Sequence, residues 1–565
     1  MSDQRAQGPT TSRRDFLWVT AGGIVATAVG VPVLEACTRA ASSGTTSAGA
    51  SVKLPTYVPF SGPTPDVAAS ANGVQNGWYT YPKKLVKSVK ATPAKGGDIA
   101  YVVPTVTNPP TPMDQNAYWQ EFNRQIGATL RPSITALGDY DAKVNTVMAG
   151  GDLPDVLHIR FVNGVLNVPH LTDFLAAKCV DLTSYLSGDA VKEYPNLANL
   201  PTFAWKTAVV ANAIYGLPVA RSNFSNNHLF VQQNRLDAAG MSQPKNADEF
   251  MQLMKTLTKP QANQWGIGAH SGQPAFGNSF FMQLFRAPNN WRLDASGKMT
   301  KDWETPEAKA TVAYQKQLYD AGVFQPGSAN GSPTQAKVDY ISGKIATVLD
   351  SWSAYGGYWT RAINQTGIPG FKVRVMVPFG HDGGKPTYYQ GTGGFGVAFL
   401  KKASSDRVKE LLRVADFFAA PFGTEEYLLH HSGIQGTDFN YDATGNPVLT
   451  AKGAAEVQLG VQYYCSPPDV IFNSQTPSAD YVKVAHEQEQ ALAPLLSPDP
   501  TIGLYSATNA SKGATLNQAM IDRLNDIITG RVPMSAYDQA VSDWKTNGGD
   551  QVRKEYEDAV QKSKG

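Results

Sequence analysis

The residues best suited to hold another molecule cluster at 349–359, Leu-Asp-Ser-Trp-Ser-Ala-Tyr-Gly-Gly-Tyr-Trp. Flat aromatic faces stack on the C–H-rich faces of sugar rings, while planar polar groups take the hydroxyls. Trp352 is the first candidate for such stacking, Tyr358 and Trp359 would extend the platform, and Asp350 would accept hydroxyl hydrogens. A second set, Asn116, Trp119 and Arg160, follows two earlier strand patterns, and Trp265, Trp291 and Arg292 are weaker additions. Ordinary interior packing is the alternative for every one of these aromatics. Arg160 suits an ion pair between lobes as well as it suits a ligand.

Residues for covalent chemistry are not arranged to perform it. Gly391-Thr-Gly-Gly-Phe-Gly396 has the spacing of a dinucleotide fingerprint, but it precedes an apolar run instead of opening a helix. His430 and His431 are adjacent, so on a helix their side chains diverge by ~100° and cannot share a metal. The stretch Asp438–Asn446 superficially resembles a calcium loop but lacks the acidic twelfth position, and reads better as a hairpin turn. No zincin, nucleophile-elbow or phosphate-loop spacing occurs, and no catalytic residue, metal or cofactor is expected. A distant carboxylate pair for glycoside hydrolysis remains compatible with the sequence, though nothing singles one out.

These candidates need a frame to hold them. The 565 residues exceed what one core organises, so two or three lobes are expected. Strand patterns at 98–103, 156–159, 344–350, 373–377 and 396–400 alternate with helices, the signature of an α/β fold with covered sheets. Asn246 and Glu249 form a capping box before the stripe Phe250, Leu253, Met254, Leu257. A second amphipathic helix spans 405–420, and Leu516, Met520, Leu524 and Ile527 align near the C-terminus. Because 349–359 follows a strand directly, its residues emerge at the strand's C-terminal end, where open α/β sheets place ligands.

The N-terminus carries an address. Ser12-Arg13-Arg14-Asp15-Phe16-Leu17 precedes a charge-free run and the sequence Leu34-Glu35-Ala36-Cys37. Together they resemble a twin-arginine export signal (1–36) ending in a lipobox, with Cys37 as the lipidation site on the outer face of the cytoplasmic membrane. Glu35 departs from the small or apolar residue usual there. Residues 37–56 read as a flexible tether and 57–97 as an extension draped over the folded body. The remaining thiols, Cys179 and Cys465, could be joined in an oxidising compartment or stay as buried thiols. Lys and Arg (49) nearly balance Asp and Glu (47), which removes the electrostatic footprint of nucleic-acid binding.

Several short segments, in order, carry a resemblance. They are Gly151-Asp-Leu-Pro-Asp155, Tyr215-Gly-Leu-Pro218, Leu236 through Gly240 with Pro244 and the capped helix, Ile341-Ser-Gly-Lys-Ile-Ala-Thr347, Phe395 through Leu400, and Tyr427 through Gly436. The chain resembles the extracellular solute-binding proteins (family 1) of ABC importers, in particular the LplA-like sugar-binding lipoproteins. That resemblance implies a two-lobe periplasmic-binding-protein-like fold (type II), a ligand cleft between the lobes, and closure by hinge motion. Lobe one would comprise 98–217 and 387–433, and lobe two 218–386 and 434–565 with the C-terminal helices. Trp352 falls where sugar-binding relatives often stack a ring, while Asp152-Leu-Pro-Asp155 reads as a turn orienting the next strand. The implied partners are a carbohydrate, expected to be an oligosaccharide, and ABC permease subunits. The implied form is a non-enzymatic monomer touching the membrane only through its lipid. A peptide or other solute, and a secreted carbohydrate-active enzyme, are the competing expectations.

Overall fold

Runs of β-branched and aromatic residues broken by capped helices fold into two sheets joined by three crossings. The computed structural model describes residues 52–70, 73–105, 108–162, 165–166, 168–270, 274–327, 330–364, 371–474 and 478–564. The export signal, Glu35, Cys37 and most of the expected tether therefore lie outside the described residues. In chain order the elements that frame the site are β1 (Asp98–Thr105), α1 (Ala117–Ile126), β2 (Thr129–Ala136), α2 (Tyr140–Gly150), β3 (Val156–Val162) and β4 (Gly216–Ala220). There follow β5 (Asn227–Gln232), α3 (Ala247–Leu257), β6 (Trp265–Gly268), α4 (Pro274–Leu284), β7 (Trp291–Leu293), β8 (Met299–Lys301), α5 (Pro306–Asp320) and β9 (Ile345–Ser351). The rest are α6 (Tyr355–Asn364), β10 (Val373–Val375), β11 (Tyr388–Tyr389), β12 (Gly394–Leu400), α7 (Ser405–Phe418), α8 (Glu425–Ser432), α9 (Ser478–Leu492), α10 (Ala507–Ile528), α11 (Ala536–Trp544) and α12 (Asp550–Lys564).

Lobe one is built on the strand order β2-β1-β3-β12-β4, with a short 165–166 arm on β3. β1 runs parallel to β2 and β3, whereas β12 enters from the other lobe and lies antiparallel to β3 and β4. Ile99, Tyr101 and Val103 of β1 pack into one core with Phe122 of α1 and Leu411 of α7. Asp155 fastens this sheet, accepting the Ala100 N–H at 2.9 Å and pairing with Arg407 at 3.0 Å, which is the turn role expected of its motif. Lobe two has the order β10-β5-β9-β6. Side chains alternate across β5, so Leu229 and Val231 join the core under α3 and α4 while Phe230 joins the aromatic core on the other face. The capped helix forms as expected, with Asn246 accepting the Glu249 N–H at 2.8 Å.

Three segments, 221–226, 388–393 and 466–471, carry the chain between the lobes, and they are laced together. Arg221 N–H donates to Gly393 O (3.1 Å), Gly391 N–H to Asn223 O (2.8 Å) and Ser222 N–H to Asp469 (2.7 Å). The glycines of the 391–396 motif serve this contact. A Cβ on Gly391 would lie 2.7 Å from Ser225 O, and one on Gly396 would lie 2.4 Å from Ile159 O.

One expectation about organisation is corrected, and one open alternative is decided. Residues 434–465, expected in lobe two, return to the first core, where Leu459, Val461, Tyr464 and Cys465 are buried. The Tyr464 hydroxyl donates to Leu411 O and the Tyr101 hydroxyl to Leu459 O, which fixes the segment there. Cys179 and Cys465 are both free, buried thiols and are not joined to each other. Burial pushes the Cys179 thiol up to about 12, away from the reactive thiolate. The 57–97 extension touches both lobes: Gln75 donates to Glu489 through its N–H (2.8 Å) and its side chain (2.7 Å), and Trp78 and Tyr81 pack on Phe422.

Candidate functional site

Strand directions decide where a ligand can be met. The C-terminal ends of β3, β6 and β9 and the start of β5 point to the side of the crossings, as ligand-bearing ends do in open α/β sheets. On that side of lobe two, α4, α5, β8, the crossing strand β11 and α10 enclose a cavity of about 360 Å³, within the usual range of ~300–1,000 Å³ for small-ligand sites. A smaller cavity adjoins it. The two share Asn290, Lys301 and Asn517, and the smaller one reaches Val162 at the end of β3 in lobe one.

The polar lining is dominated by neutral amides: Asn227, Asn278, Asn290, Asn509 and Asn517. Asn278 donates to Gln315 at 2.7 Å and Asn290 to Asp499 at 2.8 Å, which leaves their amide oxygens facing other directions. Among the described residues, the side-chain amides of Asn227 and Asn517 have no protein partner. The aromatic part comprises Trp303, Tyr389 and Tyr537, continued by Trp291, Trp544 and Tyr556. Trp303 is held by Tyr537, whose hydroxyl donates to its carbonyl at 2.8 Å, and by an edge contact with Trp544 at 5.5 Å. Its buried indole Nε1–H has no acceptor, a cost that a bound hydroxyl would remove.

Lys301 and Asp302 are the charged groups of this lining, and they satisfy each other. The Lys301 ammonium bonds Asp302 and the Asn290 carbonyl (3.2 Å) and sits 3.6 Å from the centre of the Trp303 ring. Burial raises the Asp302 carboxyl above its ordinary range, with the adjacent ammonium opposing that rise. The entry to α4 is strained as well. Ala275 and Phe276 hold φ of 48° and 57°, a left-handed conformation that non-glycine residues keep only where their surroundings enforce it, often at ligand sites. Such an arrangement can grip hydroxyls and an apolar ring face. Among the described residues it offers no nucleophile beside a base.

The residues singled out from the sequence are placed differently. Trp352, 8 % exposed, packs on the His228 ring at 4.8 Å and on Tyr355 at 5.3 Å, and its indole N–H bonds the buried Glu489 carboxyl. Tyr358 donates to Asp350 at 2.7 Å and Lys337 pairs with Asp350 at 2.9 Å, which occupies the carboxylate expected to accept hydroxyls. Trp359 is half-buried against Tyr481, with the Arg374 guanidinium over its ring. The structure thus brings Asp350, Trp352, Tyr358 and Trp359 together, but against lobe-two packing partners rather than along the cavity.

The remaining candidates scatter. Asn116 is fully buried and caps α1 by accepting the Trp119 N–H at 2.8 Å, while the Trp119 indole donates to Leu130 O. Arg160 forms a bidentate pair with Asp141 inside lobe one, so it is not the interlobe partner that was the alternative. Trp265 opens β6, at the strand end remote from the crossings, because the ligand-bearing end is the C-terminal one. Trp291 lines the smaller cavity, and the neighbouring Arg292 instead pairs with Glu307 at 3.0 Å. Sequence reading missed Trp303 and the asparagines. The available signal was on α10, where Asn509, Gly513 and Asn517 recur every fourth residue beside the apolar stripe.

Known proteins are similar to this chain in sequence or in fold. Residues 117–426 match the family of bacterial extracellular solute-binding proteins. The chain is 24% identical over 433 residues to the polygalacturonan/rhamnogalacturonan-binding protein YtcQ of Bacillus subtilis (strain 168), covering 75% of this chain and 83% of that protein. Among solved structures it is similar to an HMO-binding, ABC-transporter-associated solute-binding protein of Bifidobacterium longum infantis (TM-score 0.62, 13% identity, 83% of this chain and 99% of that one). It is also similar to the S. pneumoniae substrate-binding protein FusA in complex with kestose (TM-score 0.58, 14% identity, 83% and 99%). At these identities the structural likeness establishes the fold, two α/β lobes on either side of crossing segments. With more than half of the chain matched, this protein belongs to the bacterial extracellular solute-binding protein family, whose members bind and do not catalyse.

Proposed function

We propose that this protein captures a carbohydrate outside the cytoplasm and delivers it to the permease of an ABC importer, anchored through a lipid on Cys37. The observation that carries the reading is the cavity between α4, α5, β11 and α10, where unpaired amides of Asn227 and Asn517 face aromatic surface from Trp303 and Tyr389. Amides match sugar hydroxyls as donor and acceptor at once, and the rings match the apolar face of a pyranose. The similar proteins whose names or ligands refer to saccharides support the same class of solute. The adjoining cavity extends the lining toward lobe one, as an oligosaccharide held between closing lobes requires. Delivery to a permease that meets both lobes of the closed form follows from the same motion.

The test is a screen of mono- and oligosaccharides against the purified full chain by tryptophan fluorescence and thermal shift, with the sugar recovered and weighed by mass spectrometry. A saturable signal, a ligand-dependent rise in Tm and an intact sugar are the expected result. Binding only of peptides would move the solute class, and recovery of cleaved sugar would overturn capture without chemistry.

A further inference from the structure

We infer that the solute this cavity takes is an uncharged oligosaccharide and not a uronic-acid one; the inference rests on the carbohydrate reading above. Selective binding of a sugar carboxylate needs a cation with donors to spare, preferably a guanidinium fork, because a carboxylate brought out of water without one is strongly destabilised. Among the described residues the cavity lining has a single cation, Lys301, whose side chain is only 7% exposed. Its three N–H bonds are directed to Asp302, to the Asn290 carbonyl and onto the Trp303 ring. Asp302 already takes up that ammonium, so an incoming carboxylate meets an occupied donor. Arg160 is held by Asp141 in a bidentate pair, and Arg292, half-exposed with one bond to Glu307, is not among the described residues lining either cavity. What the lining leaves unpaired is neutral: the amides of Asn227 and Asn517 and the Nε1–H of Trp303. These suit hydroxyls and acetal oxygens.

This differs from what the name of the similar YtcQ protein says that protein binds, a polygalacturonan. The difference is therefore open to direct trial. Calorimetric titration of the full chain compares length-matched pairs: galactan with galacturonan oligosaccharides, and mannan with mannuronan oligosaccharides, plus kestose as a further neutral probe. Neutral members should bind about 100-fold tighter than their uronate counterparts, and Asn517→Ala, at a half-exposed helix position, should weaken that binding by roughly tenfold. Uronates binding as tightly as neutral sugars, or tighter, would overturn the inference while leaving carbohydrate capture standing. Binding unaffected by Asn517→Ala would overturn the assignment to this cavity. Failure of every saccharide would take down the carbohydrate reading and this inference with it.

Discussion

Lobe two contains two aromatic groups of similar make-up and opposite construction. Around Trp352, the rings of His228, Phe230, Tyr355, Tyr358 and Tyr481 fill one another's space, and the polar atoms left without a partner there, such as His228 Nδ1 and the Trp359 Nε1–H, are closed in by packed rings. Around Trp303, the rings of Trp544, Tyr537 and Tyr389 stand at the border of a hollow, and an indole donor and two amides are left without partners. A protein interior closes on itself wherever it can, because voids forfeit dispersion contacts and unpaired polar atoms forfeit hydrogen bonds. The group whose unpaired atoms border a hollow is the one built for an outside molecule.

That contrast can be broken by mutation. The largest expected effect is on Trp352: truncation to Ala should lower unfolding free energy by about 3–5 kcal/mol in denaturant titration, as for other buried aromatics. Trp303→Ala, at a half-exposed position, should cost clearly less. Equal losses would erase the distinction between a packed group and an open one.

A smaller effect sharpens it through pH. Beneath Trp352, burial pushes the Glu489 carboxyl up to about 8 against the lowering by Gln75, and in lobe one burial takes Asp416 up to about 7. Both native values lie above those of the unfolded chain, so the folded state holds protons that the unfolded state has released. Their stabilising contribution is full below about pH 4 and is lost as pH rises through about 7 to 8. Stability should fall by on the order of 1 kcal/mol per pH unit for each group within that window. Glu489→Gln should flatten the slope in thermal unfolding between pH 5 and 8, and an unchanged slope would mean the carboxyl is ionised in the fold.

Much of the frame was readable before any coordinates. The N-cap at Asn246, the stripe on α7 and the apolar runs of β1, β3, β9 and β12 follow local rules of period and capping, and each appears where those rules put it, though Glu249 accepts the Lys245 N–H instead of closing the expected capping box. The site was less legible. The segment 349–359 has the composition of a binding platform, but whether rings face outward depends on α9, more than a hundred residues later, which brings Glu489 and Tyr481 beneath them. Likewise Trp303 becomes a wall of a cavity only when α10 and α11 fold back over β8. The return of 459–465 to lobe one has the same origin, since long-range partners for Tyr464 leave no local trace.

The measurement that tests the account most directly is a paired titration of Trp303→Phe and Trp352→Phe with kestose and the galactan oligosaccharides, after circular dichroism has shown both variants folded. Removing the Nε1–H and narrowing the ring face at Trp303 should weaken binding by about tenfold or more, while the Trp352 variant stays within about twofold of the unaltered protein. The reverse pattern, with affinity lost at Trp352 and kept at Trp303, would contradict the placement of the ligand in the amide-lined cavity.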